Sequence, residues 1–178
     1  MQSNRIIITD SISRSFNTNI KEIDPYDIDE EMIRAFDHNH NTNYFGFLSN
    51  ITTSYTKQEY ELYKMTSPIC TCLLYTSNSN KINEIYYAEY EMDLKKIKIY
   101  VDSNLNYNCH EIEEYAFKNM DMESLTVFIS RKDKDCIHKL VSNGYIPLFD
   151  NKDNSDIVPL MIEKDEKYQK QNGGIICV

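Results

Sequence analysis

Several groups of side chains in this 178-residue chain have the types and spacing to do chemistry. Glu89 and Glu91 lie two apart in the stretch Ile85–Met92, whose alternation puts Ile85, Tyr87, Glu89 and Glu91 on one face. Tyr86, Ala88, Tyr90 and Met92 fall on the other. A carboxylate half-buried beside Tyr87 and Ile85 has a raised pKa and can take a proton from an amine. The plain alternative is a pair of glutamates facing water on an exposed sheet. Tyr86, Tyr90 and Tyr100 are phenols able to give a proton, although tyrosines so placed most often pack a sheet. Cys109 and His110 open a helix whose dipole lowers a thiol pKa, while Glu111, Glu113 and Glu114 oppose that effect.

Metal chemistry is not expected. Cys109-His110 with Cys136 and His138 offer four N and S donors, but their spacing is unlike that of a zinc site. His38 and His40, two apart at a helix end, do not converge on one ion. The chain has no Gly-x-Ser-x-Gly, no Walker loop, no dinucleotide fingerprint and no His-Glu-x-x-His. The five cysteines, at 70, 72, 109, 136 and 177, are odd in number and show no disulfide framework. They read as free thiols of a cytoplasmic protein in a reducing compartment.

The elements that must position these groups follow from periodicity and capping. Ile6-Ile7-Ile8-Thr9 reads as a buried strand and residues 10–22 as a loop. Asp24 as N-cap and Pro25 at the first helical position open a helix with Ile28, Met32, Ile33 and Phe36 inward, ended by 38–41. Residues 44–55 read as irregular, and Thr56 with Glu59 forms a capping box on a second helix. Strands are expected over Ile69–Ser77, Ile85–Met92 and Ile97–Val101, joined by short turns into an antiparallel meander. A helix boxed by Asn108 and Glu111 leads to the strand Leu125–Ile129. Ser130 caps the next helix, Asn143-Gly144 closes it, and strands Tyr145–Phe149 and Ile157–Ile162 end the fold.

Composition sets the outer bounds. Apolar residues make up 41% and charged ones 26%, which excludes a disordered or collagen-like chain, and the length fits one domain. No apolar run approaches the roughly 20 residues of a bilayer span, and the start MQSNRIIITD is not a secretory signal. Nineteen basic against 28 acidic residues leave −9, a surface that repels phosphate backbones and anionic membranes. Such a surface attracts a cationic small molecule or a basic protein segment.

The order β-α-α-β-β-β-α-β-α-β-β, from about residue 5 to residue 163, resembles the GNAT N-acetyltransferase superfamily. In that family a meander feeds a splayed strand pair that grips acetyl-CoA. The segment LTVFISRKDKDCIHKLVSNGYIPLF is similar to the family's strand, then its helix ending in a Gly-aromatic pair, here Gly144-Tyr145. The resemblance implies an α/β (α+β) domain with a mixed sheet over residues 1–163, followed by a charged tail at 164–178. It implies acetyl transfer from acetyl-CoA to a polyamine or lysine-type amine, with Glu89 as base and Tyr100 as acid. It further implies that the backbone of Ile99 and Val101 pairs with the pantetheine arm and that the backbone amides of Asn106, Tyr107, Asn108 and Cys109 take the phosphates. Asp133 stands where the family has an Asn near the helix start, and a homodimer fits the same pattern. The strands ending near Val101 and beginning near Leu125 should then be parallel and splay apart.

Two departures define an alternative. Residues 101–111 carry neither glycine nor a basic side chain, and Glu111 sits in the helix's first turn, where it repels phosphate. Leu140 occupies the position where many members carry a catalytic Tyr. The alternative is a catalytically inactive protein of GNAT fold that serves as a protein-interaction module.

Overall fold

The period-two stretch between residues 70 and 100 becomes three antiparallel strands: β2 (Cys70–Asn78), β3 (Lys81–Glu91) and β4 (Lys96–Tyr100). The structure is a computed structural model that describes residues 19–40, 42–78, 81–102, 107–148 and 155–165. A single 3-10 turn, Met92–Leu94, closes the second hairpin, with Lys95 left-handed at φ 49°. That turn fixes the register, and the register sets Glu89 opposite Lys98 and Tyr87 opposite Tyr100.

β4 then crosses to β5 (Ser124–Ser130) in parallel, Lys96 facing Ser124 and Tyr100 facing Phe128. A parallel pair needs a crossover of a dozen or more residues, and helical turns supply it here. β7 (Ile157–Glu163) runs antiparallel to β5, and the two-residue β6 (Ile146–Pro147) borders β7. With β1 (Ile20–Glu22) on the far edge, the mixed sheet has the order β1-β2-β3-β4-β5-β7-β6.

Helices cover both faces. α1 (Glu30–His40) and α2 (Tyr44–Ser54) lie on the face of the odd-numbered β3 residues, where the Tyr87 ring meets Tyr44 at 4.9 Å and Phe47 at 5.4 Å. α4 (Cys109–Glu114) runs on as a π turn, Tyr115–Asn119, against the even face. There Tyr90 and Tyr115 share a hydroxyl contact of 3.2 Å, and Tyr86 and Tyr107 meet edge to face. α3 (Lys57–Thr66) and α5 (Lys134–Ser142) complete the set. Ile85, Ala88, Ile97, Ile99, Leu125 and Val127 are wholly buried along the sheet.

The α/β fold with a mixed sheet stands as expected, with one helix more than the sequence suggested. Residues 44–55, expected to be irregular, form α2: Asn43 caps it by accepting the Gly46 N–H, and Tyr44 and Leu48 bury one side. Residues 20–22, expected in a loop, are a strand because β2 offers them a ladder partner, Ile20 facing Thr76 and Glu22 facing Leu74. Asp24 and Pro25 do not start a helix; Asp24 accepts the Tyr26 N–H in a turn, and Asp29 caps α1 by accepting from Glu31 and Met32. Likewise Asp133, not Ser130, caps α5. The Thr56–Glu59 box is present with both hydrogen bonds. The strand expected at Ile6–Thr9 and the tail from residue 166 lie outside the described residues.

Candidate functional site

The site begins where β4 and β5 stop being partners. Their parallel ladder ends with the Val101 N–H donating to the Phe128 carbonyl at 3.0 Å. β5 continues through Ile129 and Ser130, paired there with Val158 and Ile157 of β7. The two central strands are parallel over Lys96–Tyr100 and Ser124–Phe128. In open α/β sheets such a point, at the carboxyl ends of the strands, is where ligands enter.

On the odd face, register brings a charged trio together. Lys98 bonds Glu89 at 2.7 Å and Glu91 at 2.5 Å, and all three side chains are half-buried. Hydrogen bonds to the two carboxylates push the Lys98 pKa up, so the ammonium stays charged. The trio carries a net −1. Tyr100, next along β4 on the same face, stacks on Phe128 at 4.7 Å and 15°. Burial, and then the charge of Glu89, push its phenol pKa up, so Tyr100 keeps its proton at neutral pH. Tyr44 gives its hydroxyl hydrogen to the Ile85 carbonyl at 3.0 Å, and burial with the nearby Asp102 charge pushes its pKa up as well.

On the even face the polar groups are sealed in. Tyr107 and Tyr145 share a hydroxyl contact of 3.4 Å, and Tyr145 also bonds the buried Glu113. Burial pushes both phenol pKa values up. Above this cluster a hollow of about 240 Å³ opens between α4 and α5, lined by Asn108, Cys109, His110, Glu113, Lys139 and Asn143. Lys139 reaches the Tyr107 carbonyl at 3.4 Å. Asn108 caps α4, accepting the Glu111 N–H at 3.5 Å.

The thiol of Cys109 is not the activated one that its place at a helix start suggests. It is 5% exposed, and burial pushes its pKa up against the Lys139 charge and the Asn143 amide. Cys136 is pushed up to about 11, again by burial first. Among the described residues no group of three or more His, Cys, Asp or Glu could hold a metal ion. Among the same residues no helix is long and apolar enough to cross a membrane.

The expected site residues thus fall into two sets on opposite faces. Glu89 and Tyr100 are brought together on the odd face, with Lys98 as a partner that sequence reasoning passed over. The signal was there, because hairpin counting from the 92–95 turn places Lys98 opposite Glu89. Tyr107, Asn108 and Cys109 gather at the start of α4, and Lys139, also passed over, joins them from α5. Its position between Cys136 and Asn143 at helical spacing was the available sign.

Two expectations need correction. Ile99 is mid-ladder, with Ala88 on one side and Val127 on the other, so its backbone is not open to a pantetheine arm. Asp133 spends its carboxylate on the Cys136 N–H at 3.2 Å, as the cap of α5. Asn106 lies outside the described residues.

Comparison with protein-family models and with curated proteins gave no match. Solved structures do match. The N-acetyltransferase PseH of Campylobacter jejuni superposes with a TM-score of 0.51 at 14% identity, over 82% of this chain and 99% of that one. Its complex with acetyl coenzyme A gives the same figures. The F149A mutant of spermidine N-acetyltransferase SpeG from Vibrio cholerae gives 0.50 at 10% identity, over 86% and 99%. The fold is that of the GNAT N-acetyltransferases. In this GNAT fold the parallel β4–β5 seam, the crossover α4 and the returning α5 are all in place. At such low identity it is the GNAT fold, and not the reaction, that the likeness establishes.

Proposed function

We propose that this protein is a GNAT-type N-acyltransferase that moves an acetyl group from acetyl-CoA to a primary amine. The observation that carries the reading is the end of the parallel β4–β5 ladder at Val101 and Phe128, with a hollow between α4 and α5 on one face of the sheet and acid-base groups on the other. The residues fit the carrier in one respect that the sequence hid. Lys139 supplies, from α5, the positive charge that residues 101–111 lack. Val101 and the Ile129–Ser130 stretch, rather than Ile99, would line the arm, with Asn108 and Lys139 at the phosphate end.

Bound acetyl-CoA supplies an acyl carbon activated as a thioester. The chain supplies protons and position. A substrate amine is protonated at neutral pH, so Glu89 removes a proton and leaves nitrogen with a lone pair. Lys98 holds the Glu89 carboxylate in place, and Glu91 balances the Lys98 charge. As the new C–N bond formed and the C–S bond broke, Tyr100, protonated at neutral pH, would give its proton to the departing sulfur and be reprotonated by way of solvent with the second proton that the nitrogen loses. The net −1 of the trio and the −9 of the chain favour a polyamine or a lysine-bearing acceptor.

A binding-only reading of the same fold is favoured by one observation. Glu113 is 5% exposed and lines the hollow, so a carboxylate faces the phosphate end. Thermal unfolding of the full chain with acetyl-CoA separates the two. At about 100 times its dissociation constant, a bound carrier raises stability by about 2.7 kcal/mol. A melting temperature unmoved by millimolar acetyl-CoA overturns the transferase reading.

A further inference from the structure

Half of the odd face is apolar where a sheet surface open to water should be polar. From β3 that face continues across β4, β5, β7 and β6 in two rows set by register. Tyr87, Tyr100, Phe128 and Pro159 make one row, and Leu148 extends it, its N–H donating to the Pro159 carbonyl at 2.8 Å. Glu89, Lys98, Thr126, Met161 and Ile146 make the other. The alternate residues of β5 and β7, Val127, Ile129, Val158 and Leu160, belong to the opposite face and are buried there. A sheet with one solvated face normally alternates apolar inside with polar outside. In this half both sides are apolar. Ile146 is 62% exposed and Leu148 47%, and Ile157, in line with Pro159 along β7, is 45% exposed. Past Lys98 the only polar side chain in the two rows is Thr126. A contiguous exposed patch of this kind is a contact surface.

We propose that this surface docks an extended segment of a protein acceptor, with the reacting lysine at Glu89 and apolar residues beside it. The fate of the lysine rests on the transferase reading above; the docking does not. Charge sets the direction. The trio of Glu89, Glu91 and Lys98, at a net −1, receives the ammonium, and the neutral rows receive what flanks it. Length sets the kind of acceptor. Glu89 and Ile146 are four strand spacings apart, about 19 Å at about 4.8 Å each, which an extended peptide covers in about six residues. A free polyamine fits worse, because its second ammonium would rest on Thr126, Phe128 or Met161, none of which is charged. The acid on this face of β7 is Glu163, a row away and level with Ser124 and Lys96. The stacked rings of Tyr100 and Phe128 give the apolar flank a flat floor next to the acid-base groups.

The test uses the full chain and two hexapeptides, each with one lysine, flanked by Leu and Phe in the first and by Ser and Gly in the second. Without acetyl-CoA, the apolar peptide should bind about tenfold or more tightly than the polar one, with amide shifts at Thr126, Phe128, Met161 and Ile146. The double substitution Ile146→Ser with Leu148→Ser, at two exposed positions, should cut that preference to about threefold or less. Thiol release from acetyl-CoA then separates the two readings. Shifts on this face without release from either peptide or from a diamine would overturn the transferase and leave the docking surface standing. Release that is equal for both peptides and indifferent to the double substitution would do the reverse. Equal affinity for the two peptides, or shifts elsewhere, would also overturn the proposal. A dimer of the full chain that Ile146→Ser splits would assign the surface to a second copy and overturn it too.

Discussion

The two faces of the sheet at the β4–β5 seam hold similar side chains under opposite conditions. On the odd face Glu89, Glu91 and Lys98 are half-buried and pair by register, with the exposed Tyr100 next along β4. On the even face Tyr107 and Tyr145 are buried together, and Glu113 of α4 bonds Tyr145. Carboxylate and phenol are present in both places. Only the first set is open to proton exchange with solvent; the second packs the crossover against the sheet. The difference shows that a catalytic inventory is decided by access, and that burial turns the same groups into structure.

The largest effect expected from this contrast is on stability. Tyr145→Ala, which empties a site 2% exposed, should cost about 3–5 kcal/mol in urea unfolding, while Tyr100→Ala at 37% exposure should cost clearly less. Equal losses would break the comparison. Next comes Glu89→Gln, which should lower amine acetylation about 100-fold or more while leaving the melting temperature within a degree or two of wild type. Unchanged turnover would remove Glu89 as base. Gly46→Ala should be milder. A Cβ there would lie 2.4 Å from the Asn43 oxygen that caps α2, so losing the cap should cost about 1 kcal/mol and leave the odd-face groups working.

The smallest effect concerns pH. Glu22, on the even face beside α3, has its pKa raised above 4.5, by burial first and against the Lys64 charge. A carboxyl raised on folding favours the folded state below its unfolded pKa, and that contribution is lost as pH rises through the folded value. Glu22→Gln should therefore melt slightly higher than wild type at pH 7.5, with the gap closing as pH falls to about 4.5. A gap that widens on acidification would mean that the Lys64 pairing, and not burial, governs this side.

Much of the fold was legible because local signals agreed. The meander, the Thr56–Glu59 box, the Asn108 cap and the Gly144 exit each rest on neighbours in sequence, and each is present. The failures share a cause. β1 is three residues long and exists through its ladder with Leu74 and Thr76. α2 contains Gly46 and β-branched residues and is held by its cap and by Tyr44 and Leu48 packing, so propensity alone misreads it. At the site, the face shared by Glu89 and Tyr100 could be counted from the hairpin. The arrival of Lys139 at the start of α4 depends on how α5 returns across the sheet, and the occupation of the Ile99 backbone on the parallel pairing of β4 with β5.

The central claim is that acid-base groups on the odd face act on an acyl carrier admitted at the end of the β4–β5 ladder. Release of free thiol from acetyl-CoA by the full chain, measured with and without a diamine acceptor, tests it most directly. The account predicts amine-dependent release that Glu89→Gln suppresses and that Glu91→Gln reduces less. Folded protein that releases no thiol in the presence of amine, or release indifferent to Glu89, would contradict it.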